Sequence, residues 1–315
     1  MNTTKYIFGV DVGGTAIKFG LFEKEGQIID SFEVPTPTEN NGINILPTIE
    51  KVIMESIYKN QIEKNEILGA GIGVPGPVND SGVVLKCVNL GWGVTPVKDI
   101  LEEKLGFQVE VGNDANVAAL GEMWQGSARG RKNVVMVTLG TGVGGGIIID
   151  EKVVAGTNGA GGEIGHIKMK RNETEFCGCG KKGCLEQYAS ATGIVRLAKS
   201  KLDSDDLDTL LSEILDLQAK DIFDCAKKND KVALELVAEL GKYLGMALAN
   251  ISCVCDPQIF IIGGGVSKAG DILINSIRRS YIEYAFHASE GAEFKIAELG
   301  NEAGIYGAAK MVLGA

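Results

Sequence analysis

Residues 6–22 read YIFGVDVGGTAIKFGLF. Tyr6–Val10 is an apolar run of strand character, Gly13-Gly14 breaks it, and Ile17–Phe22 returns as a second strand. Glu25-Gly26 turns the chain once more into Ile28–Val34, so the opening is an antiparallel meander. The pattern begins again in NVVMVTLGTGVGGGIII, residues 133–149. Here Asn133–Leu139 is the strand, Gly140–Gly146 the glycine turn, Gly146–Ile149 the returning strand and Asp150-Glu151 the next turn. A strand–glycine–strand unit used twice implies two related α/β halves with a cleft between them.

The rest of the chain fits that frame. Helical spacing of apolar residues covers 44–60 and 97–105, with strands at Leu68–Val74 and Phe107–Val111 and a helix over Ala115–Trp124. The later part is mostly helical, with helices expected at 190–202, 207–216, 219–228 and 231–253. Ile259–Ile262 is a strand that runs into Gly263-Gly264-Gly265, a helix follows near 268–284, and a last helix near 302–313 packs back on the N-terminal half. The charged stretch 200–210 reads as a solvated face.

At 315 residues the chain has room for two domains of ordinary size. Its 43 glycines run at about twice the usual share, in clusters without a period, which excludes collagen and points to backbone-lined ligand loops. A net charge of −10 argues against nucleic acid or an anionic membrane as the main partner. Asp11 interrupts the first apolar stretch, so no secretory signal is expected, and no uninterrupted run reaches the length of a membrane span. Seven cysteines, an odd count, fit a reducing cytoplasm, with Cys87, Cys225, Cys253 and Cys255 expected as buried thiols.

The densest chemistry lies in HIKMKRNETEFCGCGKKGCLE, His166–Glu186. His166, Cys177, Cys179 and Cys184 make up three thiolates and one imidazole, a closed tetrahedral shell for a structural Zn²⁺. Gly178, Gly180 and Gly183 let the backbone turn tightly enough for the sulfurs to converge. Glu163, His166 and Glu186 cluster around the glycine-rich loop Gly156–Gly165 and suit recognition of vicinal hydroxyls, with the metal fixing which imidazole nitrogen stays available. The other histidine, His287, reads as incidental.

Three glycine loops close three strands. Asp11-Val-Gly-Gly-Thr15 presents a carboxylate, the amides of Gly13 and Gly14 and the Thr15 hydroxyl, with Lys18 facing phosphates or solvent. Gly140–Gly146 repeats the logic with Thr141 and Gly142, and because a strand follows it is neither a Walker loop nor a dinucleotide fingerprint. Gly263, Gly264 and Gly265 allow a nucleotide's sugar or base to approach the backbone. Together the loops point to a nucleoside triphosphate. Asn113-Asp114, at a strand end before a helix, has two open readings: an N-cap pair, or a cap with Asp114 as general base in phosphoryl transfer.

With these residues assembled, the chain resembles the ROK family of sugar kinases and repressors, on the bacterial ATP-dependent glucokinase side. The resemblance rests on DVGGTAIK at 11–18, GVPGP at 73–77, NLGW at 89–92 and NDANVAALGE at 113–122. It continues through LGTGVGGGIIIDEKVVAGTNGAGGEIGH at 139–166, CGCGKKGCLE at 177–186 and IIGGGVS at 261–267. It implies a two-domain actin-like/hexokinase-like (ribonuclease H-like) α/β ATPase fold. The expected small domain is 1–112 plus 302–315, and the large one is 113–301 with the zinc segment 166–184. It implies Asp114 as the base on a sugar 6-hydroxyl, with Asn89, Asn113, Glu163, His166 and Glu186 binding the sugar. Asp11, Gly13, Gly14, Thr15, Lys18, Thr141, Gly142 and Gly263–Gly265 would surround Mg²⁺-ATP. A cytoplasmic homo-oligomer, dimer or tetramer, is implied as well.

The expected reaction is ATP-dependent phosphorylation of D-glucose. The same residues serve N-acetylmannosamine, N-acetylglucosamine, fructose or allose, which is the first rival. A non-catalytic sugar sensor or regulator is the second. Repressors of the family carry an N-terminal winged helix-turn-helix, for which Asp11 lies too near the start.

Overall fold

The computed structural model describes residues 6–204 and 207–314. They form two compact units: Met1–Lys132 with Gly146–Gly162 and Glu298–Ala315, and Asn133–Gly145 with Glu163–Ala297.

The first unit holds β1 (Tyr6–Val12), β2 (Ala16–Glu23), β3 (Ile28–Pro35), β4 (Ile67–Val74) and β5 (Val109–Asn113) in the order β3-β2-β1-β4-β5. β1 pairs antiparallel with β2 and parallel with β4, which sets Asp11 beside both Lys18 and Gly73. The meander read from the sequence is therefore present, extended by two parallel strands. Because side chains alternate along a strand, Phe8, Val10 and Val12 share one face. That face packs on α2 (Ile45–Lys59) and α3 (Val97–Leu105), which follow a one-turn α1 (Glu39–Gly42). Ile7 and Phe22 face the other way, onto Ile305 and Ala309 of α10 (Ala303–Val312). Strand glycines make that contact close: a Cβ at Gly9 or Gly71 would collide with the α10 carbonyls of Ile305 or Ala308. The last helix thus packs on this sheet, as expected. It packs equally on α4 (Asp114–Gln125), so residues 113–132 belong with the first unit and not beyond a boundary at 112.

The second sheet has the order β10-β9-β6-β7-β8, from β6 (Val134–Leu139), β7 (Val143–Ile149), β8 (Lys152–Val153), β9 (Ile259–Gly263) and β10 (Glu293–Ile296). Around it lie α5 (Glu186–Ala189), α6 (Ala191–Ser204), α7 (Ala219–Lys227), α8 (Lys231–Cys255) and α9 (Asp271–Tyr284). Phe260, Tyr281 and Phe294 pack edge-to-face or tilted, with ring centroids 5.0–5.3 Å apart, between β9, α9 and β10.

Four expectations change. The glycine turn after β6 is shorter, since β7 already begins at Val143. The helix expected at 207–216 is only the 3-10 turn Leu210–Glu213, because Asp230 draws the Thr209 hydroxyl and the Leu210 amide into its own N-cap; positions 205 and 206 lie outside the described residues. The helix expected from 268 breaks at Gly270, whose φ of 75° ends a 3-10 turn before α9. Cys253 is exposed, since it falls on the solvent side of α8, and Cys255 is only partly buried, while Cys87 and Cys225 are buried as expected. β10 had no reading in the sequence: EFKI is four residues long and is held by parallel pairing with β9.

Candidate functional site

In the first unit, Asp11 is the penultimate residue of β1, on the face that meets α10. Burial pushes its carboxyl pKa up, and the nearby Lys18 ammonium offsets part of that rise. The turn beyond it is held open by its own backbone: Gly13 N–H donates to Ala16 O at 2.9 Å, and Gly13 O accepts from the Thr36 hydroxyl at 2.7 Å. Gly14 and Thr15 stay exposed. Lys18 Nζ donates to the Asn301 carbonyl at 3.1 Å, a partner far along the chain that the sequence did not indicate. Asn89 lies beside the turn, since a Cβ on Gly14 would stand 4.0 Å from its Cβ. The NLGW stretch that carries Asn89 is pinned by buried Trp92, whose indole N–H donates to Gly42 O at 3.2 Å.

At the start of α4 the structure separates two adjacent residues. Asn113 is the cap: its Oδ1 accepts from the amides of Ala115 (3.1 Å) and Asn116 (3.3 Å), and its Nδ2 donates to Gly76 O at 3.1 Å. Asp114 occupies the first helical position, where the helix dipole favours a carboxylate, and its Oδ1 accepts from Ala115 N–H at 2.8 Å. Capping is thus met by Asn113, and Asp114 is not required for it.

In the second unit, three thiols and one imidazole converge as expected. The donor atoms of His166, Cys177, Cys179 and Cys184 all lie within 4.8 Å of one another. Cys177 N–H donates to Lys181 O and Gly180 N–H to Cys177 O, and short bridges pair Lys168 with Cys184 and Phe176 with Lys182. Burial, with the neighbouring thiols and Glu186, pushes the Cys177 thiol up to about 12, while the Lys181 backbone holds Cys179 below the ordinary thiol range. A dication among such groups favours the thiolates, and this donor set at this spacing can hold tetrahedral zinc. His166 divides its ring: Nδ1 lies 3.8 Å from Cys177 Sγ, and Nε2 lies 3.9 Å from Glu163 Oε2. One nitrogen faces the thiols and the other faces a carboxylate exposed to solvent.

Glu186 is shared. Its Oε2 accepts from Val143 N–H at 3.1 Å, and its Oε1 lies 3.3 Å from Cys177 Sγ. It therefore joins the zinc segment to the glycine turn Gly140–Gly142, where a side chain on Gly142 would strike the carboxylate. Thr141 O accepts from the Thr192 hydroxyl at 2.6 Å. Gly264, with φ 82°, lies against the Leu139 backbone, so two of the three glycine loops meet. They line one cavity of about 430 Å³ with Phe223 and Lys220 of α7 and Val266 and Lys268 of the 3-10 turn after β9.

Several residues escaped the sequence reading. Phe223 lies on the helix expected at 219–228, where nothing in the sequence sets it apart from other apolar residues. Gln187 accepts from Gly183 N–H (2.7 Å) and Cys184 N–H (3.1 Å) and donates to Glu175 O (3.1 Å), bracing the cysteine loop independently of any metal. Glu173, only 7% exposed, would be raised by burial. The Tyr188 hydroxyl at 2.5 Å, the amides of Thr174 and Glu175 and the Arg196 guanidinium instead hold it down at about 2. Glutamates scattered through a charged loop carry no local signal for such a role. His287 is exposed beside Phe286.

The model of the ROK family matches residues 7–315. A glucokinase of Halalkalibacterium halodurans is 43% identical over 98% of this chain and 95% of its own length. A putative xylose repressor of a Caldicellulosiruptor species is 32% identical over 98% of this chain but only 78% of its own. The crystal structure of a ROK family glucokinase from Streptomyces griseus, in complex with glucose and AMPPNP, superposes with a TM-score of 0.75 at 37% identity over 97% of this chain and 98% of that one. The fold and the match place the chain among the actin-like/hexokinase-like two-domain α/β proteins. Within that class it belongs to the ROK family.

Proposed function

We propose that this chain is an ATP-dependent glucokinase that transfers the γ-phosphoryl group of ATP to the 6-hydroxyl of D-glucose. The observation that carries the reading is at the start of α4, where Asn113 Oδ1 takes the cap amides and the adjacent Asp114 places its carboxylate at the first helical position. Asp114 accepts the proton of the 6-hydroxyl as that oxygen bonds to the γ-phosphorus and the bond to the β–γ bridging oxygen breaks, leaving ADP. Asn89 and Asn113 hold the sugar beside it. Glu163, His166 through Nε2 and Glu186 accept from and donate to its other hydroxyls.

The phosphates are met by the amides of Gly13, Gly14 and Gly142 and the hydroxyls of Thr15 and Thr141, which serve as preorganised donors for charge that grows in the transition state. Asp11 would help hold Mg²⁺, whose charge would neutralise the phosphate oxygens. The cavity of about 430 Å³ beside Gly140, Thr141 and Gly265 is of a size for the base and ribose, with Phe223 as an apolar wall. His166, Cys177, Cys179 and Cys184 would hold a structural zinc that leaves no coordination position open to a reactive water.

Glucose is favoured by the 43% identity to a glucokinase, although an N-acetyl-D-glucosamine kinase of Vibrio cholerae is also 30% identical. No helix among the described residues is long and apolar enough to cross a membrane, and the seven cysteines are free thiols, which supports a cytoplasmic setting. A homodimer or homotetramer follows from the family resemblance alone.

Coupled ADP assays over a panel of glucose, N-acetylglucosamine, N-acetylmannosamine, fructose and allose test the reading. Glucose should give the highest kcat/KM, and none of the five turning over would favour a sugar sensor. Asp114→Asn should lower kcat by about 10²- to 10⁴-fold while glucose binding stays within a few fold. Near-normal turnover in that variant removes Asp114 from the mechanism.

A further inference from the structure

Glu122, two turns along α4 from Asp114, is 0% exposed. Its Oε2 accepts from the Ser127 amide (2.9 Å), the Ser127 hydroxyl (3.1 Å) and the Glu298 amide (3.2 Å), and its Oε1 accepts from the Leu299 amide (2.8 Å). All four donors are uncharged. A buried carboxylate is a costly way to tie a loop, and packing alone would be served better by an apolar side chain. What distinguishes this one is where its partners lead. Leu299 caps the 3-10 turn Gly300–Glu302, which runs straight into α10. Within that turn the Asn301 carbonyl accepts from Lys18, the residue opposite Asp11 in the β1–β2 register. Gly304, the second residue of α10, lies so close to Asp11 that a Cβ there would stand 2.6 Å from the Asp11 carboxyl carbon.

We propose that Glu122 is a positioning residue: its carboxylate clamps the 298–299 turn to the helix that carries Asp114 and thereby sets where α10 meets Asp11. The inference rests on the kinase reading, in which Asp11 serves Mg²⁺-ATP. It requires two acceptor oxygens. An amide offers only one, and its NH₂ would face the Leu299 N–H donor to donor.

Steady-state kinetics and thermal melts of the full chain test it with three variants. Glu122→Gln removes an acceptor. Leu299→Pro removes one amide donor at a φ of −74° that proline tolerates. Ser127→Ala removes a donor that does not lead to α10. The first two should raise KM for Mg²⁺-ATP by about tenfold, since small misplacements of a ligand group are costly, with KM for glucose within about twofold. Ser127→Ala should lower Tm and leave both KM values unchanged. An unchanged nucleotide KM in Glu122→Gln, with only Tm or the active fraction reduced, overturns the proposal. If that variant does not fold, Leu299→Pro decides by the same criterion. Wild-type protein without glucose-dependent ADP release sinks the kinase reading itself. A wild type that turns over beside variants of unaltered KM sinks only the clamp.

Discussion

The two hairpin turns, one in each unit, solve the same problem differently. In the first, β1 delivers Asp11 two residues before Gly13. In the second, β6 delivers Thr138 two residues before Gly140, and no carboxylate is built into the strand. The second turn obtains its acid from elsewhere, because Glu186 at the end of the cysteine segment receives the Val143 amide. One turn carries its charge on a strand, where burial makes that charge costly to the fold. The other borrows a carboxylate whose position depends on a loop of cysteines and glycines. The duplicated pattern therefore repeats the backbone and divides the electrostatics.

The strongest test of that division is Asp11→Asn. Turnover should fall by about 10²- to 10³-fold, in line with the removal of one preorganised electrostatic group. The ligand-free fold should gain stability, with a sign that pH reveals. The Asp11 pKa is raised above its ordinary 3.8, so the folded chain prefers the protonated acid. Its contribution is complete below that value and is lost as pH rises through the folded pKa. The Tm advantage of the variant should accordingly widen as pH rises from 3.8 through the raised folded pKa and level off above it. A variant equally stable at every pH, or less stable than wild type, breaks the idea that the first turn stores a costly charge.

Glu186→Gln probes the borrowed carboxylate. Purified without chelator, wild type and variant should both contain about one zinc per chain, because Glu186 is not among the four ligands. KM for glucose should nonetheless rise by about 10- to 100-fold, the range for losing an outer partner of a metal site. Loss of the zinc together with unchanged KM would show that Glu186 supports the loop alone.

The smallest expected effect is at Glu173, where the second unit buries a carboxylate that its neighbours favour. Glu173→Gln should cost about 1–3 kcal/mol, read as a Tm lower by several degrees. Here the sign is opposite to that of Asp11. A pKa of about 2, below the ordinary 4.5, means the stabilisation is present above 4.5 and lost as pH falls toward 2. The gap between wild type and variant should therefore close on acidification. A gap independent of pH would mean that the Glu173–Tyr188–Arg196 group acts by packing and not by charge.

Which parts were legible beforehand follows from the range of each signal. The strand–glycine–strand units, the Asn113 cap and the cluster of His166, Cys177, Cys179 and Cys184 were readable because the determinants of each lie within about twenty residues of one another. Spacing along the chain then nearly equals spacing in space. The Asn113-Asp114 pair had two open readings; the structure gives the cap amides of Ala115 and Asn116 to Asn113 Oδ1, and the role of Asp114 rests on the proposal. The helix expected at 207–216 failed because Asp230, some twenty residues on, competes for the same backbone and hydroxyl donors.

Local periodicity and turn chemistry were thus enough to indicate two α/β halves, the glycine loops and the candidate metal shell, while the actin-like/hexokinase-like class came from the family resemblance. Other features depended on residues that meet only after the chain has closed on itself. β10 is held by its parallel partner β9, Phe223 becomes a wall of the Gly140–Gly265 cavity, and Lys18 finds Asn301. Glu122 meets Leu299 across 177 positions of sequence. No spacing in the chain encodes such a meeting, because it is the packing of α4 and α10 on one sheet that brings the carboxylate and the amide together.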